Sequence, residues 1–320
     1  MPELRSSRLS DSAGIADLIR RNPSEEFPLM GLNPEQLEGI VRRLHSGSVR
    51  LILALSAAVG RPLVKIVVLE DGGSILGIAM VSFSPGVARI GGLTVDSSVR
   101  RRGHAQELMR ACERLARKYR RSHLVLEVLS TNTPAIRLYE KLGYRTLRDV
   151  RWMSRDLTQP LVARTANERY RLRAFRRSDA RELVALANDA MPDSVRSRAR
   201  FRSSDFRVAG LSRRAGGVEA TSWVVERESQ IVGYAKAFVS PALAAAQIDP
   251  LVLAAPAASD ACERLTQAAL GWCTERRAPR AILALPDHLD GLRPTLEGDG
   301  FTEGLRLHTM ALDLGASPRP

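Results

Sequence analysis

The chain has 320 residues, a length that suits two domains of ordinary size, each large enough to bury its own core. Its net charge is +13, and residues 1–160 carry +9 of it, so the first half is expected to meet an anionic ligand. The chain has no run of 18 apolar residues, no signal-like N-terminus and only three scattered cysteines, which argues against a membrane span, a disulfide framework and a metal site and predicts a cytoplasmic protein.

The segment before residue 87 predicts strands and helices in turn. Asp71-Gly72-Gly73 is typical of a hairpin, because glycine adopts the positive φ angles that tight turns require. Four elements are expected here: a strand at 4–10, a helix from 12 capped by Ser10 and Asp11, a helix within 33–57, and a hairpin of strands 65–70 and 75–83.

A glycine turn at the start of a helix is the most distinctive stretch of the chain. A strand ends at Leu93-Thr94-Val95, the sequence Arg100 to Ala105 follows, and a helix is predicted to about Arg120. The first N–H groups of a helix have no internal partner, and Gly103 lets an anion approach them. Three arginines add charged donors. The stretch predicts a pyrophosphate-binding turn; the alternative is a solvated turn before an amphipathic helix.

The next strand and helix carry a carboxylate and a phenol. Segment 124–129 has one charged side chain, Glu127, and Asn132 is placed to cap a helix that contains Tyr139. Burial among leucines and valines would raise the pKa of the Glu127 carboxyl, which suits a general base. From the residues alone two other interpretations stay open: Glu127 pairs with an arginine, and Tyr139 is a core aromatic with a satisfied hydroxyl.

Together these two stretches resemble a known family. Arg100-x-x-Gly103-x-Ala105 after a Leu-x-Val strand resembles the cofactor loop of the GNAT (GCN5-related) N-acetyltransferases. Asn132-x-x-Ala135-x-x-Leu138-Tyr139-x-x-x-Gly143-Tyr144 resembles the second motif of that family. The segment is also similar to ribosomal-protein alanine N-acetyltransferases, which carry a Leu-Glu-Val strand ahead of the tyrosine.

The resemblance implies acetyl-CoA as co-substrate, without a metal. It implies that the residues matching Glu127 and Tyr139 act as base and acid, and that the strands carrying Leu93 and Glu127 splay apart so that the pantetheine arm pairs with the first strand. The implied cofactor-binding residues are Leu93, Thr94, Val95, Arg100, Arg101, Arg102, Gly103, His104, Ala105, Asn132, Ala135 and Tyr139.

Two glycines depart from the family pattern. Many members carry an acidic residue just before Leu-x-Val, where this chain has Gly91 and Gly92. The role of base therefore passes to Glu127 or to a water relay. Asp96 is a weaker candidate for the base, and His104 is expected to make a local contact.

The second half repeats the order of the first after a linker at 157–168. A strand at 170–175, a helix capped by Ser178 and Asp179, and strands at 222–226 and 230–239 are expected. Matching glycines lie 156 or 157 positions apart, Gly77 with Gly233 and Gly143 with Gly300. The closing segment 145–157 of the first copy predicts a strand pair.

This repeat predicts an α/β (α+β) fold with two tandem GNAT-like domains, 1–158 and 165–320, each a mixed, mostly antiparallel twisted sheet flanked by helices. The second copy lacks the chemistry: at an offset of 157, Gly103 meets Asp260, Glu127 meets Ala284 and Tyr139 meets Leu296. We therefore expect the first domain to be catalytic and the second to be degenerate.

The expected function is acetyl-CoA-dependent transfer of an acetyl group to a primary amine of a small molecule, peptide or protein. Such an amine is protonated at neutral pH and must lose a proton before attack, while the leaving thiolate benefits from a proton donor. The alternative is a non-catalytic acyl-CoA-binding or interaction module. Nucleic acid is a disfavoured partner because aromatic residues are few, no membrane partner is expected, and the sequence is compatible with a homo-oligomer.

Overall fold

The structure is a computed structural model, and it divides into two compact units. Unit 1 comprises the described residues up to 147 and those from 308 onward, and unit 2 comprises the described residues from 148 to 307. The residues that the structure describes are 2–23, 38–39, 41–42, 63–161, 167–198, 200–206, 218–240, 245–254 and 258–315. The predicted helix at 33–57 lies outside them except at 38–39 and 41–42, which are helical.

Unit 1 is a sheet with helices on both faces. Its strands are β1 (Glu3–Ser6), β2 (Val64–Asp71), β3 (Ser74–Ser84), β4 (Val87–Val95), β5 (His123–Leu129) and part of the last strand of the chain, β12 (Thr302–Asp313). Its helices are α1 (Ser12–Arg21), α2 (His104–Lys118) and α3 (Thr133–Lys141). The strands lie in the order β1-β2-β3-β4-β5-β12. From β1 to β4 neighbouring strands are antiparallel, whereas β4 and β5 are parallel.

The alternation along β3 separates two cores in unit 1. Ala79 packs in one core with Leu108 and Cys112 of α2. Ile78 packs in the other core with Ile15 and neighbouring residues of α1. Because successive strand residues point to opposite faces, one strand supports a helix on each side of the sheet. The predicted hairpin is confirmed, since β2 and β3 join at glycines 72 and 73, which both have positive φ.

Unit 2 repeats this architecture. Its strands are β6 (Arg145–Asp156), which begins in unit 1, β7 (Arg171–Ala174), β8 (Glu219–Arg227), β9 (Gln230–Val239), β10 (Ala246–Leu253) and β11 (Arg280–Pro286). Its helices are α4 (Ala180–Asp189), α5 (Asp193–Arg196), α6 (Ala258–Glu275) and α7 (Arg293–Gly298). The strand order is β6-β11-β10-β9-β8-β7, with β10 and β11 parallel.

The last strand of each sequence copy does not stay with its own copy. From residue 308, β12 belongs to unit 1, where the N–H of Leu314 donates to the carbonyl of Ser122 at 2.8 Å and Met310 is buried in the core under α2. From residue 148, β6 belongs to unit 2, where it pairs with β11 along 150–156. This division differs from the linear boundaries expected at 158 and 165.

The strand pair predicted after Tyr144 is wrong, because the segment forms the single strand β6. Positions 145–156 contain no glycine, proline or asparagine that would make a turn, so the chain continues straight. The partner strand comes from a distant part of the sequence instead, β11.

A charged cluster closes the N-terminal corner of unit 1. The guanidinium of Arg5 donates to both carboxylate oxygens of Asp11 at 2.7 and 2.8 Å and, through Nε, to Glu70 at 2.6 Å. Asp11 is 6% exposed and also accepts the N–H of Arg8. The pKa of the Asp11 carboxyl is lowered, first by the hydrogen bonds from Arg5.

The same cluster recurs in unit 2. Arg173 donates to both oxygens of Asp179 at 2.7 and 3.0 Å and, through Nε, to Glu226 at 2.7 Å. Burial would raise the pKa of the Asp179 carboxyl, but the hydrogen bonds from Arg173 and from the N–H of Arg176 outweigh it, and the net shift is downward. The predicted cap at Asp179 therefore takes the form of an ion pair that ties the first strand to the first helix.

None of the helices in the described ranges combines the length and apolar content needed to cross a membrane.

Candidate active site

The candidate site begins where β4 and β5 part. Their parallel pairing runs from Val87 opposite His123 to Ile90 opposite Leu126 and ends there. At the same level β4 bulges against β3, and Gly92 in the bulge has φ +64°. A bulge increases the local bend of a strand, and glycine takes this φ without strain. The splay implied by the family resemblance is therefore present, and Gly92 contributes to it.

A cleft of about 860 Å³ opens between the separated strand ends. Five segments of unit 1 form its walls: the residues after α1, the end of β4, the turn into α2, the end of β5 and the start of α3. The predicted site residues in the lining are Leu93, Thr94, Val95, Arg100, Arg101, Gly103, His104, Ala105, Glu127, Asn132, Ala135 and Tyr139. Lining residues that sequence reasoning did not assign to the site include Asn22, Val99, Gln106, Thr131 and Leu138.

The turn before α2 has the geometry of an anion site. Arg101 has φ +62° and Gly103 has φ +88°, and α2 begins at His104. Alternation of residues across the left-handed region turns successive N–H groups toward one side, next to the positive end of the helix. A Cβ at Gly103 would meet nothing within 4 Å, so the glycine serves the backbone angle and leaves the turn open. Arg102 is exposed and does not belong to the cleft lining.

Arg100 is held by two oxygens on the approach to this turn. Its Nε donates to the carbonyl of Val95 at 3.2 Å, and its Nη2 donates to Oδ1 of Asn22 at 3.2 Å. Asn22 follows the last residue of α1 and is 6% exposed. The sequence offered no signal for this contact, because 78 positions separate the two residues.

Glu127 lies in the cleft lining but is less enclosed than expected. Its side chain is 28% exposed, and Nη1 of Arg89 lies 3.7 Å from its carboxylate. The expected burial among leucines and valines is only partial, because Glu127 lines the cleft just beyond the last residue of β5 that pairs with β4. The pairing with an arginine, left open by the sequence, is present.

Tyr139 and Asn132 come from the third helix. The side chain of Asn132 accepts the N–H of Ala135 at 3.2 Å, so its predicted role as helix cap is confirmed. Tyr139 is 7% exposed, packs with Tyr144 at a ring distance of 5.9 Å and still contributes to the cleft lining. Its position combines the core aromatic of one interpretation with the access to the cleft that the other requires.

Asp96, the weaker candidate for the base, and His104, which was expected to make a local contact, are both engaged in local bonds. Asp96 is 2% exposed and accepts the hydroxyl and N–H of Ser98 at 2.6 and 2.9 Å as well as the guanidinium of Arg21. These contacts, led by the Ser98 hydroxyl, lower the pKa of the Asp96 carboxyl. Nδ1 of His104 lies 3.2 Å from a carboxylate oxygen of Glu107 on the same helix. Asp96 is not part of the cleft lining, whereas His104 is.

Comparison with known families agrees with the site. Residues 42–144 match the model of the acetyltransferase (GNAT) family, and this range contains the turn, the splayed strands, Glu127 and Tyr139. No curated protein sequence matches the chain. This match supports the resemblance to the GNAT family that the motifs predicted, over the part of the chain that carries the candidate site.

Solved structures show the same fold over nearly the whole chain. A GCN5-related N-acetyltransferase from Sphaerobacter thermophilus is similar at a TM-score of 0.66 and 18% identity, covering 98% of this chain and 96% of that one. A tandem GNAT protein from the clavulanic acid biosynthesis pathway is similar at 0.62 and 16%, covering 99% and 100%. A GCN5-related N-acetyltransferase from Kribbella flavida gives 0.52 and 15%, covering 97% and 70%. The predicted α/β class with two GNAT-like domains is confirmed.

Proposed function

We propose that this chain is an acetyl-CoA-dependent N-acetyltransferase of the GNAT family whose acceptor is a primary amine of a small molecule, peptide or protein. The observation that carries the proposal is one cleft in unit 1 that joins an unpaired strand end, an anion-binding turn, a carboxylate and a phenol. Residues far apart in the sequence contribute to it. At the positions that match Gly103, Glu127 and Tyr139, the sequence of unit 2 has no turn glycine, no carboxylate suited to be the base and no phenol.

Acetyl-CoA would lie along the opened edge of β4. Beyond Ile90, the segment Leu93-Thr94-Val95 pairs with β3 at Thr94 and Val95 but no longer with β5, so the β5-facing edge of this segment would receive the amides of a pantetheine arm. The turn from Arg100 to Ala105 would hold the pyrophosphate with its N–H groups and guanidinium donors. Asn132 and Ala135 at the start of α3 would complete the wall. Arg102 is placed to add charge from outside the cleft.

The thioester supplies the acetyl group, and two side chains manage the protons. Glu127, partly exposed to the cleft, would accept a proton from the incoming ammonium directly or through water. Tyr139, enclosed at the cleft wall, would donate a proton to the departing thiolate.

Calorimetry with acetyl-CoA is the first test. The wild type should bind one equivalent. Gly103→Asp, which installs the residue of unit 2, should weaken binding by more than about 100-fold, because its carboxylate repels the pyrophosphate. Gly103→Asn is the matched control, since asparagine tolerates positive φ and carries no charge, and it should retain most of the affinity.

Thiol release from acetyl-CoA across a panel of primary amines completes the test. Turnover with at least one amine supports the enzyme. Binding without turnover across the panel would instead identify a non-catalytic acyl-CoA-binding module. The assignment of the site to unit 1 is wrong if the wild type does not bind acetyl-CoA. It is also wrong if Gly103→Asp binds acetyl-CoA as tightly as the wild type does.

A further inference from the structure

We propose that Asn22 is a positioning residue that fixes Arg100 at the mouth of the anion turn. This inference rests on the proposed function of the cleft and adds a part to it. Asn22 comes directly after α1, outside both family motifs, and lies in the cleft lining. Its role would be to hold the Arg100 guanidinium in place before the cofactor arrives.

The amide of Asn22 is fully used and buried. Nδ2 donates to the carbonyl of Leu18 at 2.9 Å, which anchors the side chain to the end of α1. Oδ1 accepts the N–H of Ser97 at 2.9 Å and Nη2 of Arg100 at 3.2 Å. With 6% exposure, water has little chance to replace these partners. One side chain thus links the first helix to both the start and the end of the segment that leads into the anion turn.

A second anchor makes this segment rigid. Arg21, next to Asn22, pairs with the carboxylate of Asp96, which is 2% exposed and also accepts two bonds from Ser98. The segment 96–100 is therefore tied to α1 at neighbouring points. The backbone that carries Arg100 is therefore held at the end of α1, which helps to keep the guanidinium in one position.

The contacts of Arg100 leave one end for a ligand. Nε bonds the carbonyl of Val95 and Nη2 bonds Asn22. Among the described residues, Nη1 has no hydrogen-bond partner. An arginine that is already ordered loses less side-chain entropy on binding an anion, so the contact to Asn22 increases affinity without touching the ligand.

Unit 2 contains a comparable asparagine, Asn188, whose side chain bonds backbone groups as Asn22 does. Asn188 at the end of α4 also donates to the carbonyl four residues earlier, that of Val184, at 2.7 Å. Its Oδ1 accepts the N–H of Phe201 at 3.0 Å. Its Nδ2 also donates to the carbonyl of Phe201 at 3.1 Å, and the Arg196 guanidinium reaches only the backbone carbonyl of Asn188. An asparagine side chain at a helix end can therefore clamp a following segment through backbone groups alone, whereas the side chain of Asn22 also bonds a guanidinium.

A double-mutant cycle on acetyl-CoA binding tests this, with calorimetry of the full chain. Asn22→Leu should raise Kd about tenfold, the effect of one hydrogen bond to a charged group. Arg100→Met should raise Kd by at least as much. In Arg100→Met, adding Asn22→Leu should change Kd by less than about twofold, because Asn22 acts through Arg100. Asn188→Leu is the matched control and should leave Kd unchanged.

The measured Kd values either support the positioning role of Asn22 or overturn it. An unchanged Kd in Asn22→Leu, or the same fold-loss with and without Arg100, overturns the inference. If Asn22→Leu does not fold, Arg100→Lys replaces it, because lysine keeps the charge but cannot hold both oxygens; an unchanged Kd there also overturns the inference. If the wild type itself fails to bind acetyl-CoA, the proposed function fails instead, so the two failures are distinguishable.

Discussion

Unit 1 and unit 2 share packing details that have nothing to do with a ligand. In unit 1, a Cβ added to Gly77 on β3 would lie 3.0 Å from Leu108 of α2. In unit 2, a Cβ added to Gly233 on β9 would lie 3.0 Å from Leu265 of α6. In each unit the missing Cβ lets the helix pack closely on the strand, α2 on β3 in unit 1 and α6 on β9 in unit 2. The Arg-Asp-Glu clusters at Asp11 and Asp179 repeat in the same way.

The units differ where unit 1 has its cleft. Beside the end of β11, Leu285, Leu292 and Leu296 are between 0 and 3% exposed and belong to one apolar core. Leu296 matches Tyr139 in the repeat, and Ala284 matches Glu127. The comparison teaches that the frame of this fold and its chemistry rest on separate residues. A copy can lose every polar group of the site and keep the frame.

The largest expected effect comes from giving unit 1 the residues of unit 2. Glu127→Ala should lower turnover by about 10²- to 10⁴-fold, the contribution of a general base, and leave the Kd of acetyl-CoA within about threefold. Tyr139→Leu should do the same, with Tyr139→Phe as the control that removes only the hydroxyl. Steady-state thiol release measures both. Turnover at the wild-type rate in Glu127→Ala would assign that carboxylate to its pair with Arg89 alone.

The next largest effect is a loss of unfolding free energy at the glycines that follow α3 and α7, and it should be larger at the second glycine than at the first. Gly143 and Gly300 have φ of +89° and +84°, so alanine should cost about 1–2 kcal/mol at either. A Cβ at Gly300 would also lie 1.6 Å from Nη1 of Arg155, which is buried and bonds the carbonyl of Pro160. Gly300→Ala should therefore cost about 3 kcal/mol in total. Urea unfolding of both variants checks the ranking; equal losses would contradict it.

A smaller and equal effect is expected at the two buried aspartates. Asp11→Asn and Asp179→Asn should each lower the free energy of unfolding by about 2 kcal/mol, because each leaves a bidentate arginine partly unpaired. Since both carboxyl pKa values are lowered by folding, this contribution is fully present above about pH 4, the value in the unfolded chain, and is lost as the pH falls toward the folded values.

Unfolding measured from pH 7 down to pH 3 tests that sign. The gap between wild type and either variant should stay constant to about pH 4 and shrink below it. A gap that grows toward low pH would show that other groups dominate. A loss confined to Asp11→Asn would break the equivalence of the two frames.

The smallest expected effect is at the cysteines. All three are buried and unpaired, and burial raises the pKa of Cys112 and of Cys273 to about 12. Thiol reagent at pH 8 should label fewer than one cysteine of the native protein and all three after unfolding. Rapid labelling of the native state would show that one unit opens readily. Mass spectrometry of the labelled peptides would then identify the unit.

Local features of the fold could be predicted from the sequence because their causes are local. The hairpin at Gly72, the helix from His104 and the cap at Asn132 each follow from a turn glycine, an apolar period or a side-chain acceptor within a few residues. The same holds for the glycine turn before α2, whose positive φ angle and helix start lie side by side. These predictions rest on short-range chemistry, and the structure agrees with them.

Features that depend on distant pairing could not be predicted. The contact of Asn22 with Arg100 and the pair of Arg89 with Glu127 join residues on different elements, and no sequence period marks them. The exposure of Glu127 depends on where β4 leaves β5, which the bulge at Gly92 helps to set. In the sequence, Gly92 stands out only because an acidic residue is absent there, and nothing marks the bend that its positive φ angle permits.

The exchange of last strands has a consequence for how this gene can change. A protein cut after residue 158 would keep Glu127 and Tyr139 but lose β12, and with it Met310 and Leu314 from the core beneath α2. The unpaired side of β5 would then be an open edge, prone to aggregation. The core of unit 1 thus depends on residues 308–315, which follow the whole of unit 2 in the sequence. Removing everything after residue 158 would therefore damage unit 1 as well as unit 2.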